Sequence, residues 1–220
     1  MFDNKKKIIA ILPLRKGSQR VKNKNFKKLN KKPLCYWIIE NLKKSKKIKK
    51  VIISTDYPFS KFKGLVNDKI ILHARPKKLS NNCSMNLVIK DVLEKFNFNN
   101  FIQVHATSPN LNYRSLDKAI NYFFKNYKKY DSIFSVTPIK KRLWSKNLLP
   151  INHNPSETPT TQNLKTIFEE NSAFYIFTRK SFYLSDNRIG IKPKAFPLSL
   201  EESFDIDTKE EFKLLEKIKR

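Results

Sequence analysis

Glycine is nearly absent from this sequence, with three in 220 residues. So few cannot build a glycine-rich phosphate loop. The polar segment after the first apolar run contains Gly17 alone, and is neither a Walker A sequence nor a dinucleotide fingerprint. Cysteine is as scarce. Cys35 and Cys83 stand in apolar or mixed surroundings without metal-ligand spacing, which argues for two reduced thiols rather than a disulfide or a zinc site. No apolar run approaches the ~18 residues that span a bilayer. The N-terminal Met-Phe-Asp-Asn-Lys-Lys-Lys leads directly into a strand-like segment rather than a signal-peptide apolar region, so a cytoplasmic protein with no membrane partner is expected.

Acidic residues are few: 19 Asp and Glu oppose 46 Lys and Arg, for a formal charge of +27. Such a balance suits either a polyanion-binding face or a compositional bias with a solvated lysine surface. The lysines fall in short scattered groups (5 to 7, 43 to 50, 128 to 129) beside abundant Asn, Ile and Phe. They lack the interleaved aromatics and fold motifs of nucleic-acid binders, so no nucleic-acid partner is expected.

What is present is an alternation of strand and helix signals. Residues 7 to 14 form a continuous apolar run, the pattern of a strand buried on both faces. Pro33 opens an amphipathic helix carrying Leu34, Trp37, Ile38 and Leu42. Strands are expected at 51 to 54, 70 to 73, 101 to 105, 132 to 137 and 173 to 178, and helices at 84 to 96 and 113 to 127. This order implies βαβ crossovers in one domain over residues 1 to 220: an α/β three-layer sandwich with a mixed, mostly parallel, Rossmann-like sheet. Ligands then belong at the carboxyl ends of the strands, at Arg15 to Asn25, Asp56 and His105 to Pro109. Residues 138 to 167, with four prolines and a Trp, break the pattern and read as a functional stretch or interaction arm. Near the end, Thr208 is a candidate N-cap with Glu211 as its capping-box partner.

The loop Leu12-Pro13-Leu14-Arg15-Lys16-Gly17-Ser18-Gln19-Arg20-Val21-Lys22-Asn23-Lys24-Asn25 offers backbone N–H groups and fixed cations to one anion, and a triphosphate is the obvious candidate. A basic surface loop is the plain alternative. The spacing Pro-x-Arg-x-Gly-Ser-x-Arg-x-x-x-Lys-Asn resembles the signature of the acylneuraminate cytidylyltransferases and of relatives acting on legionaminic, pseudaminic and Kdo-type sugars. The resemblance implies the nucleotide-diphospho-sugar transferase fold, with Arg15, Gly17, Ser18, Arg20, Lys24 and Asn25 holding CTP phosphates. Gln19 departs from a Lys common in that family.

Three further stretches resemble the same family in the same order. Arg75-Pro76-Lys77-Lys78-Leu79, with Ser84 and Asn86, looks like its cytosine-pocket segment. His105-Ala106-Thr107-Ser108-Pro109 resembles a Gln-Pro-Thr-Ser-Pro motif, placing His105, Thr107 and Ser108 near the acceptor. His105 itself is read as structural, as a sugar ligand or as a base. Asp205-Ile206-Asp207-Thr208 puts two carboxylates on one face of an extended segment, suited to a hard cation; by resemblance it carries catalytic Mg²⁺. Asn171 and Gln162 are implied on the sugar side, where Ser172 replaces a Gly and Thr161-Gln162 replaces an Arg-Gln.

The expected activity is therefore transfer of CMP from CTP to an acidic 2-keto sugar, for a surface polysaccharide or glycan. Arg15, Lys24, Asp205 and Asp207 are the expected catalytic residues. By resemblance the arm reaches into a partner subunit, where Lys140, Lys141 or Arg142 contacts the neighbour's sugar, making a homodimer. The alternatives are a non-catalytic basic nucleic-acid-binding protein, or a degenerate homologue that binds CTP without turnover.

Overall fold

The apolar run after Lys7 becomes strand β1, Ile8–Leu14, in which every residue but Pro13 is buried. The structure, a computed structural model, describes residues 7–80, 83–157 and 160–218; residues 1–6, 81–82, 158–159 and 219–220 of the expected single domain lie outside these. A two-residue hairpin follows, β2 Lys28–Leu29 and β3 Lys32–Pro33, then α1 Leu34–Lys44, β4 Ile48–Thr55, β5 Ile70–Ala74 and α2 Met85–Lys95. The remainder is β6 Asn100–Val104, α3 Tyr113–Asn126, β7 Ser132–Ile139, β8 Ile167–Thr178, α4 Arg179–Ser185, β9 Pro193–Pro197 and α5 Lys209–Ile218.

Seven strands form one sheet in the order β5-β4-β1-β6-β8-β7-β9. Only β8 runs against the others, so the sheet is mixed and mostly parallel, as expected. Alternate side chains of β1 serve opposite faces. Ile8, Ala10, Leu12 and Leu14 pack with Cys35, Ile38 and Leu42 of α1 and with Leu116, Ile120 and Phe123 of α3. Ile9 and Ile11 meet Ile89, Val92 and Leu93 of α2 and Phe182 of α4 on the other face. Each such Ile, Leu, Val or Phe side chain contributes about 1.5–3 kcal/mol of burial, and the two faces make the three layers. A smaller cluster, Leu29, Leu34, Ile206, Phe212 and Leu215, docks α5 beside α1. Among the described residues no helix is long and apolar enough to cross a membrane.

The scarcity of glycine has a structural counterpart. None of the three glycines sits at positive φ; Asn23, Asn30, Lys31, Leu148, Ser172 and Asp186 occupy the left-handed region instead. Asn30 and Lys31 form the tight turn between β2 and β3, where positive φ at both positions matches the strand twist.

Four elements, the short strands β2 and β3 together with α4 and β9, went unread in the sequence, and the expected strand at 173 to 178 is the second half of the twelve-residue β8. The polar stretch Glu169-Glu170-Asn171 hides its first half. Between Phe134 and Val136 of β7 the register shifts, so that Phe134 faces Tyr175 but Val136 faces Glu170. Ser172, at φ 58°, lies in this bulge. β7 in turn continues through Pro138, which lies past the last residue paired with β9 and so gives up no ladder bond on that side. Residues 140 to 157 and 160 to 166 belong to a turn-rich excursion. Leu143 and Ile151 pair across it (2.9 Å), and buried Asn152 donates to the Lys141 (2.8 Å) and Lys165 (3.3 Å) carbonyls.

Candidate active site

β1 has β4 on one side and β6 on the other, and the chain reverses direction across the sheet between them. The carboxyl ends of β1 and β6 therefore flank a topological switch point, the usual ligand crevice of an open α/β sheet. A cleft of about 380 Å³ opens there. Arg15, Ser18, Gln19, Arg20, Lys24 and Asn25 line it from the first loop, His105 and Thr107 from beyond β6, Ser172 from the β8 bulge, and Asp205 and Asp207 from the segment before α5.

Local bonds set the loop's shape. Asn25 is buried, and its side-chain amide donates to the Arg15 carbonyl at 2.9 Å, while the Lys16 N–H donates to Asp56 Oδ1 at 2.7 Å. Asp56, at the end of β4, thus braces the loop. Lys24 then joins the two ends of the chain. Its Nζ donates to the Ile206 carbonyl at 2.7 Å and to Asp207 Oδ1 at 3.1 Å, and Arg20 meets the other Asp207 oxygen at 3.0 Å. The backbone after Asp205 is also pinned, by Ile206 N–H to the Thr107 carbonyl at 3.0 Å. The expected capping box forms: Thr208 Oγ1 accepts from Glu211 N–H, and Glu211 Oε2 accepts from the Thr208 and Asp207 N–H groups, each at 2.7 Å. Burial pushes the Glu211 carboxyl up, but those backbone donors outweigh it and hold it below its ordinary value.

Asp205 is the unsatisfied member. Its Oδ1 is enclosed and has no hydrogen-bond partner. Burial raises its carboxyl above the usual range, with Asp207 adding to the shift and the Thr107 hydroxyl and Lys24 opposing it. Asp205 and Asp207 both line the cleft, and a carboxylate short of a partner beside a second carboxylate fits a divalent cation held by one or two carboxylates and by substrate phosphates. Among the described residues no cluster of three or more His, Cys, Asp or Glu exists to bind a metal by protein alone.

Other expected site residues lie elsewhere. Gly17 is on the loop outside the cleft lining, with open space where a Cβ would stand. Arg75 is buried beside the end of β4, Nη2 donating to the Ser54 carbonyl at 2.9 Å while Nε has no partner, and burial draws its guanidinium below the ordinary value. Ser84 caps α2, and Asn86 reaches the Asp186 carbonyl at 3.3 Å. Ser108 is wholly buried, its hydroxyl unpartnered. Asn171 buttresses the bulge, donating to Thr137 Oγ1 at 3.1 Å and accepting from Ala173 N–H at 3.2 Å. Gln162 lies exposed on the 140 to 166 excursion.

A cluster that sequence reading missed stands behind the cleft floor. Arg188, between α4 and β9, donates from Nη1 to Gln103 Oε1 at 2.8 Å, stacks its guanidinium 3.7 Å from the Tyr175 ring centroid, and brings Nη1 within 3.5 Å of His105 Nε2. The Tyr175 hydroxyl donates to Glu170 and accepts from the Ser172 hydroxyl at 3.0 Å. Burial, then Arg188 and Lys24, push the His105 imidazole down to about 3 against the pull of Asp207; burial pushes the Tyr175 phenol up to about 12. At neutral pH both are uncharged, so His105 donates or accepts hydrogen bonds and is no proton acceptor of useful strength. The available signal was chemical: arginine is the minority cation in this chain, and Arg188 follows a helix end in a segment with no other assigned role.

The family model described as cytidylyltransferase matches residues 9–220. The post-translational flagellin modification protein B of Campylobacter coli is 25% identical over 95% of this chain and 93% of its own length. The N-acylneuraminate cytidylyltransferase of Escherichia coli is 26% identical over 94% of this chain, which spans about half (51%) of that protein. Among solved structures, a CMP:2-keto-3-deoxy-manno-octonic acid synthetase complexed with CTP superimposes with a TM-score of 0.69 at 15% identity, covering 97% of this chain and 98% of the other, and so shares the fold. With the family matched from β1 to the last helix, the chain belongs to the cytidylyltransferase family of nucleotidyltransferases, as a divergent relative of the N-acylneuraminate enzymes.

Proposed function

We propose that this protein transfers the CMP part of CTP to the anomeric hydroxyl of an acidic 2-keto sugar, a nonulosonic acid or close relative, in the cytoplasm. The observation that carries this reading is the meeting of the basic loop with Asp205 and Asp207 in one cleft, joined by Lys24. In the reaction the acceptor oxygen bonds to the α-phosphorus of CTP, the bond to the β-phosphate oxygen breaks, pyrophosphate leaves and the hydroxyl proton passes to solvent. Arg15, Arg20 and Lys24 hold and neutralise the triphosphate, so positioning and fixed charge supply most of the rate. Asp205 and Asp207 would hold Mg²⁺, which when bound neutralises α-phosphate oxygens and favours ionisation of the attacking hydroxyl.

The excursion at 140 to 166 carries Trp144, Leu148, Leu149 and Ile151, each at least half exposed or nearly so (49 to 77%). Clustered exposed apolar side chains mark an interaction surface. The reading assigns it to a second copy of the chain in a homodimer, with Lys140, Lys141 and Arg142 directed at the partner's acceptor.

Pyrophosphate release from CTP with Mg²⁺ and a panel of N-acetylneuraminic, legionaminic, pseudaminic and Kdo-type acids tests the activity. Turnover with at least one acid, and preference for CTP over ATP, GTP and UTP, is expected. Absence of turnover with every acid refutes the reading.

A further inference from the structure

The cluster behind the cleft floor is not explained by the donor chemistry, and its positive charge has no direct ion pair. Arg188 is half-buried and, among the described residues, no carboxylate lies within ion-pair distance of it; Glu170 favours its charge from farther off while accepting the Tyr175 hydroxyl, and burial still draws the guanidinium below its ordinary value. A partly buried cation without a directly bonded counter-ion is costly unless a ligand supplies the opposite charge. The guanidinium is nonetheless rigidly placed. Gln103, itself fully buried, fixes one end, and the Tyr175 ring supports its face. Ser132 and Asp131 fix its loop, accepting from Gly190 N–H at 2.8 Å, Ile191 N–H at 2.9 Å and Lys192 N–H at 3.0 Å.

The neighbour through which this charge reaches the cleft is His105. An arginine cannot accept, so the ring nitrogen facing it, Nε2, is the acceptor and the imidazole proton sits on Nδ1. No protein group among the described residues hydrogen-bonds Nδ1. The cleft therefore has, opposite the triphosphate loop, a neutral donor backed by a fixed positive charge. That combination suits a carboxylate.

We propose that Arg188 is a positioning residue for the acceptor's carboxylate: it holds His105 as an Nδ1–H donor at the cleft floor and supplies the positive charge that makes an acidic acceptor preferred. This rests on the functional reading above and deepens it, since it makes acceptor acidity a property of this chain's own Arg188, independent of any partner subunit.

The test compares the best acid of the panel with its methyl ester, using wild type, Arg188→Met and Arg188→Lys, with pyrophosphate release and CTP titration on each. Wild type should favour acid over ester by on the order of 10- to 100-fold in kcat/KM, the scale of one charge-assisted contact. R188M should lose most of that ratio through a raised acceptor KM, with CTP binding unchanged, and R188K should recover part of it. A merely structural role would lower acid and ester turnover alike and leave the ratio intact, and that result overturns the proposal. If R188M does not fold, an R188K enzyme with wild-type acceptor KM and ratio overturns it equally. Absence of turnover by wild type with every acid fails the functional reading, and this proposal with it; turnover with an unchanged ratio in R188M fails the proposal alone.

Discussion

Replacing Asp205 by Asn should make the metal-free protein more stable and the enzyme nearly inactive. The Asp205 Oδ1 is enclosed without a partner, and burial, reinforced by Asp207, raises its carboxyl above the usual range. A raised folded-state value means that protonation favours the folded form. The stabilisation is fully present below the unfolded carboxylate range and is lost as pH rises through the folded value. At neutral pH the carboxylate therefore opposes folding. An unsatisfied buried polar group costs about 1–3 kcal/mol, and more when charged. An amide at the same place keeps the polar part and removes the charge, a gain of about 1–2 kcal/mol. In a domain of this size each kcal/mol moves Tm by roughly 2–4 °C, so D205N should melt about 2–8 °C higher in chelator at pH 7.5, and the gap should close toward about pH 4. Turnover should fall on the order of 100-fold or more, the loss typical of a charge-stabilising group. Thermal unfolding in chelator at the two pH values, with pyrophosphate release in Mg²⁺, measures both. A D205N protein less stable than wild type in chelator at neutral pH, or one with unimpaired turnover, would refute the assignment of an uncompensated, cation-seeking carboxylate.

Lys24→Met cuts the two bonds that tie the first loop to Ile206 and Asp207, so stability should drop by about 1.5–3 kcal/mol along with turnover; calorimetry and pyrophosphate release would show both losses or contradict the tether. His105→Gln should leave the shape of the pH–rate profile between pH 5 and 8 unchanged, because the imidazole titrates near about 3; an inflection near pH 6.5 present in wild type and absent from the variant would show that His105 does titrate in the working range. In Gly190→Ala the new Cβ would overlap the Asp131 carboxylate, which accepts from two backbone N–H groups, so about 1–3 kcal/mol of stability should be lost and the acceptor KM should rise as the Arg188 loop shifts; wild-type unfolding would show that Asp131 can move aside.

The meeting of the basic loop and the acidic segment in one cleft was legible because their residues form contiguous motifs at strand ends. The loop from Arg15 to Asn25 and the Asp205–Thr208 segment could be read as units, and the βαβ alternation places the loop at a crevice before any coordinate is known. The cluster around Arg188, proposed above to serve the acceptor, was not, because tertiary structure assembles it from single residues. Gln103 lies inside a strand, Tyr175 beyond a bulge, and Arg188 in a connection after a helix whose apolar pattern is too short to register. Ser172 shows the mechanism of such misses. Its positive φ turns the first half of β8 out of step with the second, so the period-two pattern breaks where the strand continues. Ser108 and Asn171 had motif positions but not exposure, since burial depends on the elements packed over them: one is enclosed beyond β6, and the other spends its side chain on Thr137 and Ala173.

Composition, which first obscured the reading, becomes informative once the fold is known. In a chain whose cations are mostly lysine, four of the eight arginines gather at this end of the sheet: Arg15 and Arg20 line the cleft, Arg75 is buried at the neighbouring strand end and Arg188 stands behind the floor. A lysine would satisfy a solvated surface, but it cannot stack on Tyr175 while donating to Gln103 and lying against His105. The scarcity of glycine works the same way in reverse. Where backbone geometry demands positive φ, this chain uses Asn at two positions and Lys, Leu, Ser and Asp at one each, and at residue 172 the serine adds a hydroxyl that donates to the oxygen of Tyr175, the residue that supports Arg188. A glycine there would relieve the backbone but leave the Tyr175 hydroxyl to Glu170 alone, so the bulge and the Arg188 charge are coupled through a single side chain.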